Sequence, residues 1–239
     1  MSVTTGSSKR MRKGWHELPL LVVVALVLAV LVKTFLVQAF FIPSGSMEKT
    51  LHGCPGCHGD RVLVNKVLYK VRDIHRGEIV VFNGVDSFDT EVPDLAPANG
   101  VQRAVRSFTR LIGLGAPGEK DYIKRVIGLP GDRIACCSNG HVTVQAKGSR
   151  TAVELREPYL FEDDRQVFCA AGTDAQCVQG APGVLVPPGR LWVMGDHRGA
   201  SSDSRANGTI PIGRVIGRAF VVVWPFARFK PLPVPTTFR

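Results

Sequence analysis

The chain has 239 residues, is 45% apolar and carries a formal net charge of +10, which is enough chain for a sizeable core in one or two domains. The basic residues are scattered, and no zinc-finger, arginine-rich or RNA-binding signature accompanies them, so nucleic acid is excluded as the expected partner. An anionic membrane surface suits a dispersed positive charge better.

Residues 1–14 are polar and basic, with Lys9, Arg10, Arg12 and Lys13 just ahead of Trp15. Residues 20–32 are unbroken Leu, Val and Ala; Lys33 and Thr34 interrupt them, and 35–42 are apolar again apart from Gln38. A helix needs roughly 20 apolar residues to cross the bilayer core, and 19–38 supply that length. Lys33 falls near the outer end, where its stem can snorkel to the headgroups, and Pro19 falls in the first turn, where a missing N–H costs little. A cleaved secretory signal ending near Val37-Gln38-Ala39 is the competing reading. The apolar length and the serine block that follows favour a retained anchor over 15–38. The basic cluster sets the N-terminus in the cytoplasm and the rest of the chain outside, giving a single-pass protein of the cytoplasmic membrane in contact with the lipid bilayer.

The apolar run stops at Phe40-Phe41-Ile42-Pro43-Ser44-Gly45-Ser46-Met47. Pro43 stiffens the entry and Gly45 opens the backbone to close approach by another chain; alone, the stretch reads as a linker leaving an anchor. His52-Gly53-Cys54-Pro55-Gly56-Cys57-His58 then sets two thiols at C-x-x-C spacing between two imidazoles. A small disulfide loop is the first reading; zinc on Cys54, Cys57, His52 and His58, or a redox pair, are the alternatives. Residues 61–64 and 78–82 read as strands, 83–100 as a loop, and 101–114 as a helix with arginines between its apolar positions, packed on a sheet or, in the alternative reading, lying on the membrane as a basic amphipathic helix. Residues 121–127 form a strand in which alternation puts Tyr122, Lys124 and Val126 on one face and Ile123, Arg125 and Ile127 on the other. Residues 133–137 and 142–146 form a hairpin around Ser138-Asn139-Gly140. Among Cys136, Cys137, Cys169 and Cys177 several pairings are open; Cys169–Cys177 closes a short loop, and a vicinal Cys136–Cys137 bond would be strained. Residues 190–194 read as a strand and 214–224 as a last strand pair kinked at Gly217, too short to span a membrane, followed by a Pro-rich, loosely ordered tail from Pro225.

Three blocks stand in fixed order behind the anchor: the serine block, Asp121-Tyr122-Ile123-Lys124-Arg125-Val126-Ile127-Gly128-Leu129-Pro130-Gly131-Asp132, and Gly195-Asp196-His197-Arg198 running to Ser201-Ser202-Asp203-Ser204-Arg205. Together they resemble bacterial type I signal peptidases, membrane-bound Ser/Lys proteases that remove signal peptides. The resemblance implies a mainly β fold: an N-terminal transmembrane helix followed by two antiparallel β-sheet domains, the smaller inserted in the catalytic one. Its boundaries are a cytoplasmic basic tail at 1–14, the anchor at 15–38, catalytic segments at 39–133 and 189–239, and the non-catalytic insert at 134–188. It implies Ser46 as nucleophile and Lys124 as general base, since a free serine is a poor nucleophile and a buried lysine can lose its proton near neutral pH. It implies an oxyanion hole from the Ser46 backbone N–H and the Ser44 hydroxyl, with Ser201 orienting the lysine and Asp203, Arg205, Gly195 and Asp196 in support. His197 occupies a family position where Asn is also found, which argues against a histidine base. The substrates implied are exported preproteins cut after small residues in an Ala-x-Ala pattern, with no metal or organic cofactor. Ser46 follows the span by roughly ten residues, so it lies within about 35 Å of the bilayer surface where such a bond is presented. The loop at 52–58 departs from the family pattern. The rival readings are a self-cleaving Ser/Lys protease related to the SOS repressors, which the anchor disfavours, and a membrane-anchored β module that binds metal or a partner through that loop.

Overall fold

The computed structural model describes residues 14–54, 59–84, 88, 121–138, 141–161 and 183–238. The helix expected over 101–114, almost all of the loop over 83–100, and Cys57, His58, Cys169 and Cys177 lie outside the described residues.

Helix α1 (Gly14–Phe35) opens the described chain, and its described side chains, from Leu18 to Leu28, face outward. Among the described residues no helix is long and apolar enough to cross a membrane. Strand β1 (Val37–Phe41) follows directly, then a tight turn of 3-10 helix (Gly45–Met47), β2 (Arg61–Asn65), the short helix α2 (Leu68–Val71), β3 (Ile79–Asn83) and β4 (Asp121–Gly128). Next come β5 (Arg133–Ser138), β6 (His141–Gln145), β7 (Val153–Glu154) and β8 (Val184–Leu185). The chain ends with β9 (Arg190–Met194), the helical turn α3 (Ser204–Asn207), β10 (Ile210–Pro211), β11 (Val215–Trp224) and β12 (Lys230–Pro231).

Val, Ile and aromatic residues dominate these strands, as a pleated, half-buried surface favours. β2 shows the period of two directly: Val62 and Val64 are fully buried while Arg61 faces solvent. Strands β3 and β4 are buried on both faces, because they occupy the middle of the larger sheet. That sheet runs in the order β1-β2-β11-β3-β4-β9-β10, with β12 paired to β11, and all of its pairings are antiparallel. A second sheet runs β7-β6-β5-β8, also antiparallel. Ile127, Trp192 and Met194 of the larger sheet share one apolar cluster with Ile134, Val142 and Val144 of the smaller, so the two sheets pack as one core. A second cluster joins Met47 and Leu51 to β1, β2 and β11, which seats the serine turn on the sheet.

Two expectations are corrected. Residues 215–224 form one strand rather than a pair; the chain stays in register with two neighbours by slipping beside Gly217, where β11 shifts against β3. The tail is not loose: Lys230 and Pro231 pair with β11, and Leu232 is buried in the cluster behind β1 and β2. Pro removes a donor, and β12 sits at an edge where that donor is not needed.

Candidate active site

Ser46 lies in the tight turn after Pro43, and Lys124 comes from the middle of β4, 78 residues later in the chain. The Lys124 Nζ is 2.8 Å from Ser46 Oγ. Its second bond is to its neighbour's carbonyl, Ile123 O, at 3.1 Å. Both side chains are nearly dry, with Lys124 4% and Ser46 6% exposed. Burial pushes the Lys124 amine down to about 8; Asp203 and Asp196 pull it up and Arg205 pushes it further down. An amine that is neutral in a substantial fraction near neutral pH can accept a hydroxyl proton at hydrogen-bond distance. In a turn of 3-10 helix the first N–H groups have no intrahelical acceptor, so the Ser46 N–H is available to a bound group. The Ser44 hydroxyl reaches Ser46 Oγ at 3.4 Å.

Behind this pair the Gly195-to-Arg205 stretch forms a buried charged scaffold. Asp203 is fully buried and accepts from the Gly195 N–H at 2.9 Å, from the Ser201 hydroxyl at 2.8 Å and from Arg205 Nε and Nη2 at 2.8 Å. Burial pushes the Asp203 carboxyl up, but the Arg205 guanidinium with the Gly195 and Ser201 donors outweighs it, and the group sits below its ordinary range. Ser201 therefore donates to Asp203, and no hydrogen bond joins Ser201 to Lys124, unlike the role the resemblance implies. A Cβ on Gly195 would lie 2.2 Å from Ser201 Oγ and 2.5 Å from Ser46 O, so only glycine lets this strand end approach the serine turn. Asp196, also fully buried, takes Arg125 Nε at 2.8 Å and Nη2 at 2.6 Å, and the Thr50 hydroxyl at 2.5 Å. Arg125 also donates to Gly77 O at 2.8 Å and lies 4.1 Å from the Tyr159 ring centre. The three blocks thus meet at one place.

A protein-family model described as signal peptidase, peptidase S26, matches residues 15–224. The chain belongs to that family. A probable signal peptidase I of Mycobacterium leprae is 37% identical over 93% of this chain and 81% of its own length. Signal peptidase I of Mycobacterium tuberculosis is 37% identical over 91% of this chain and 75% of its own, and signal peptidase IB of Staphylococcus aureus 28% identical over 92% and 95%. A solved signal peptidase I from Enterococcus faecalis overlaps 62% of this chain and 97% of its own at 22% identity and a TM-score of 0.35, too loose a likeness for structural detail. Membership makes the chain a signal peptidase I, a hydrolase of the serine endopeptidase class.

Around this signal peptidase's serine turn, sequence reasoning missed Thr50, Arg125 and Tyr159. Arg125 carried one usable signal: it is a charge on a strand face whose flanking residues, Ile123 and Ile127, are both apolar, a position that demands a buried partner. The described start of the 52–58 loop, His52 to Cys54, also touches the serine segment. Cys54 is disulfide-bonded, which bears out the disulfide reading for that sulfur and corrects the zinc alternative on Cys54, Cys57, His52 and His58, since zinc takes thiolates. The His52 Nδ1 is taken by Glu48, and among the described residues no group of His, Cys, Asp and Glu could hold a metal. Asp60 ties the loop's ends by accepting the His52 N–H at 2.8 Å and both Arg228 Nε and Nη2. A Cβ on Gly53 would lie 2.6 Å from Ile42 O and Ser44 O, so Gly53 lies flush against the segment that carries the serines.

Proposed function

We propose that the protein is a membrane-anchored serine endopeptidase that cuts signal peptides from exported preproteins by a Ser46/Lys124 dyad through an acyl-enzyme intermediate. The observation that carries this reading is the 2.8 Å contact between a dry serine hydroxyl and a lysine amine lowered to about 8. Neutral Lys124 takes the Ser46 proton as Oγ attacks the scissile carbonyl. The Ser46 N–H and the Ser44 hydroxyl receive the oxyanion that forms. The Lys124 ammonium then gives its proton to the leaving amine; neutral Lys124 next takes a proton from water as that water attacks the ester carbonyl, and returns it to Ser46 Oγ as the bond to the acyl group breaks. Asp203, Arg205, Ser201, Gly195 and Asp196 hold the strand end behind the dyad. Specificity for Ala-x-Ala follows from the family resemblance and calls for shallow pockets that refuse larger side chains.

The same reading divides the chain into a basic tail (1–14), an anchor (15–38), a catalytic domain (39–133 and 189–239) and a smaller insert (134–188). Strands β1–β4 and β9–β12 sharing one sheet while β5–β8 share another supports the split between catalytic domain and insert, whereas Val37 and Gln38 already pair in β1 and so move the end of the anchor back to the end of α1 at Phe35. Support for the anchor comes from the sequence, where the unbroken Leu, Val and Ala of residues 20–32 are followed, after Lys33 and Thr34, by a second apolar stretch. Trp224, Phe226 and Phe229 are exposed at the far end of the sheet, level with Phe41 where β1 runs on toward the serine turn, a suitable surface for lipid headgroups. The disulfide at Cys54 agrees with an extracytoplasmic body.

The pH–rate profile of preprotein cleavage tests the base. The active form is the neutral amine, so kcat falls as pH drops through about 8 and is down to about 1% of its plateau near pH 6. A rate flat from pH 5 to 9 with an intact fold would remove Lys124 from the role of base. Ser44→Ala is expected to lower kcat by about 10²-fold with little change in KM, since one oxyanion donor is lost and the Ser46 N–H stays. Steady-state kinetics on one purified preprotein reads this out, and an unchanged kcat would take Ser44 out of the hole.

A further inference from the structure

We propose that His197 is a positioning residue that fixes the peptide group between Gly45 and Ser46, and with it the Ser46 N–H that meets the oxyanion. The inference rests on the Ser46 reading above. His197 grips the serine turn twice. Its backbone N–H donates to Ser46 O at 3.1 Å, and its ring Nδ1 lies 3.2 Å from Gly45 O. A carbonyl oxygen can only accept, so the ring nitrogen facing it carries the proton, which sets the tautomer.

The Gly45 carbonyl and the Ser46 N–H are opposite edges of one rigid, planar peptide group and point in opposite directions. Holding the oxygen therefore aims the N–H. Gly45 O also accepts the Glu48 N–H at 3.1 Å, the bond that closes the turn. With that bond alone the peptide plate is hinged on one contact from its own turn. The imidazole adds a second donor from a segment 152 residues away, and two donors from different directions remove the hinge. Hydrogen bonds accepted at the carbonyl also polarise the peptide and strengthen its N–H as a donor.

The ring that does this is itself held. Phe161 stacks on it with centroids 4.4 Å apart and planes 25° apart, and the Phe161 N–H is tied to Asp196 O at 3.2 Å. Asp196, the residue before His197, is locked by Arg125. The plainer alternative is that His197 serves only as a packing plate for Phe161. The two roles separate cleanly, because stacking needs a ring and the Gly45 contact needs an N–H.

The test measures kcat and KM on one preprotein for His197→Asn, His197→Leu and His197→Phe, each checked by its thermal midpoint, with Ser46→Ala alongside. Asn and Leu share a shape, but only Asn offers an N–H, from its Nδ2, near the place of the ring Nδ1. Phe keeps the ring and loses the donor. We expect His197→Asn to stay within about threefold of wild type and His197→Leu and His197→Phe each to lose about tenfold in kcat at unchanged KM, a weaker loss than deleting a donor outright. Should His197→Leu fail to fold, the comparison of Phe with Asn carries the same test. Equal kcat in the Asn and donorless variants, or full activity in Phe with loss in Asn, overturns the proposal in favour of packing. Cleavage surviving in Ser46→Ala would instead overturn the Ser46 reading on which it rests.

Discussion

Replacing Lys124 by Met or Ser46 by Ala lowers kcat for preprotein cleavage by at least about 10⁴-fold, with each variant still folded and still binding substrate. The two losses should be close to each other and not additive in the double variant, because each removes the same step. The lysine variant has a second signature that a merely structural lysine would not give. Burial holds the Lys124 amine near 8 instead of its ordinary 10.5, so the folded state resists a proton that the unfolded chain accepts readily. The sign follows from which state binds the proton more tightly. Below pH 8 the amine is charged in both states and the cost of burying it is fully present, about 3 kcal/mol at 1.36 kcal/mol per pH unit. Between pH 8 and 10.5 the folded amine is already neutral while the unfolded one is not, and stability recovers as pH rises. Lys124→Met is therefore expected to be more stable than wild type at pH 7, with the gap closing toward pH 10.5. Denaturant titration at pH 7 and pH 10 measures it. A variant that is inactive and also less stable at pH 7 would mean that Lys124 is a structural residue, and catalysis would have to be sought elsewhere.

The residues of this site that could be read from the chain were those in short, ordered blocks. Ser46, Lys124 and Asp203 stood out because their neighbours were distinctive, and the fold then brings those blocks to within hydrogen-bonding reach of one another or of shared partners. Strand alternation, in contrast, could say only that Lys124 and Arg125 point opposite ways. Their partners lie 78 and 71 residues away, and periodicity carries no information about contacts at that separation. The same limit hid Thr50 and Tyr159, which look like ordinary polar residues until the Arg125 guanidinium meets both. The tail was misread for a different reason. Its prolines signal a loose segment by composition, yet Pro231 sits at a sheet edge and Leu232 fills the core, and burial of one leucine outweighs a compositional tendency. Hairpin β5–β6 was legible because it is local, two alternating runs around a turn signal.

The largest effect on stability is expected at Arg125, not at the dyad. Arg125→Met should cost about 3–5 kcal/mol, because it removes the guanidinium from a carboxylate that is fully buried. Asp196 would keep only the Thr50 hydroxyl of its side-chain donors, and the Gly77 carbonyl would lose its Arg125 donor as well. The uncompensated charge, more than the lost attraction, sets the size of the loss. A second substitution separates the two: Arg125→Met with Asp196→Leu replaces both charges by apolar groups and should recover most of the stability, since a buried pair is worth little against well-packed apolar residues. Activity should not recover with it. Asp196 anchors the strand end whose next residue, His197, binds Ser46 O and Gly45 O, so a stable double variant still loses the frame that aims the Ser46 N–H. Denaturant midpoints and kcat for the two variants give the result. A double variant that regains both stability and full kcat would show that the ion pair serves the fold alone and that the serine turn is positioned without it.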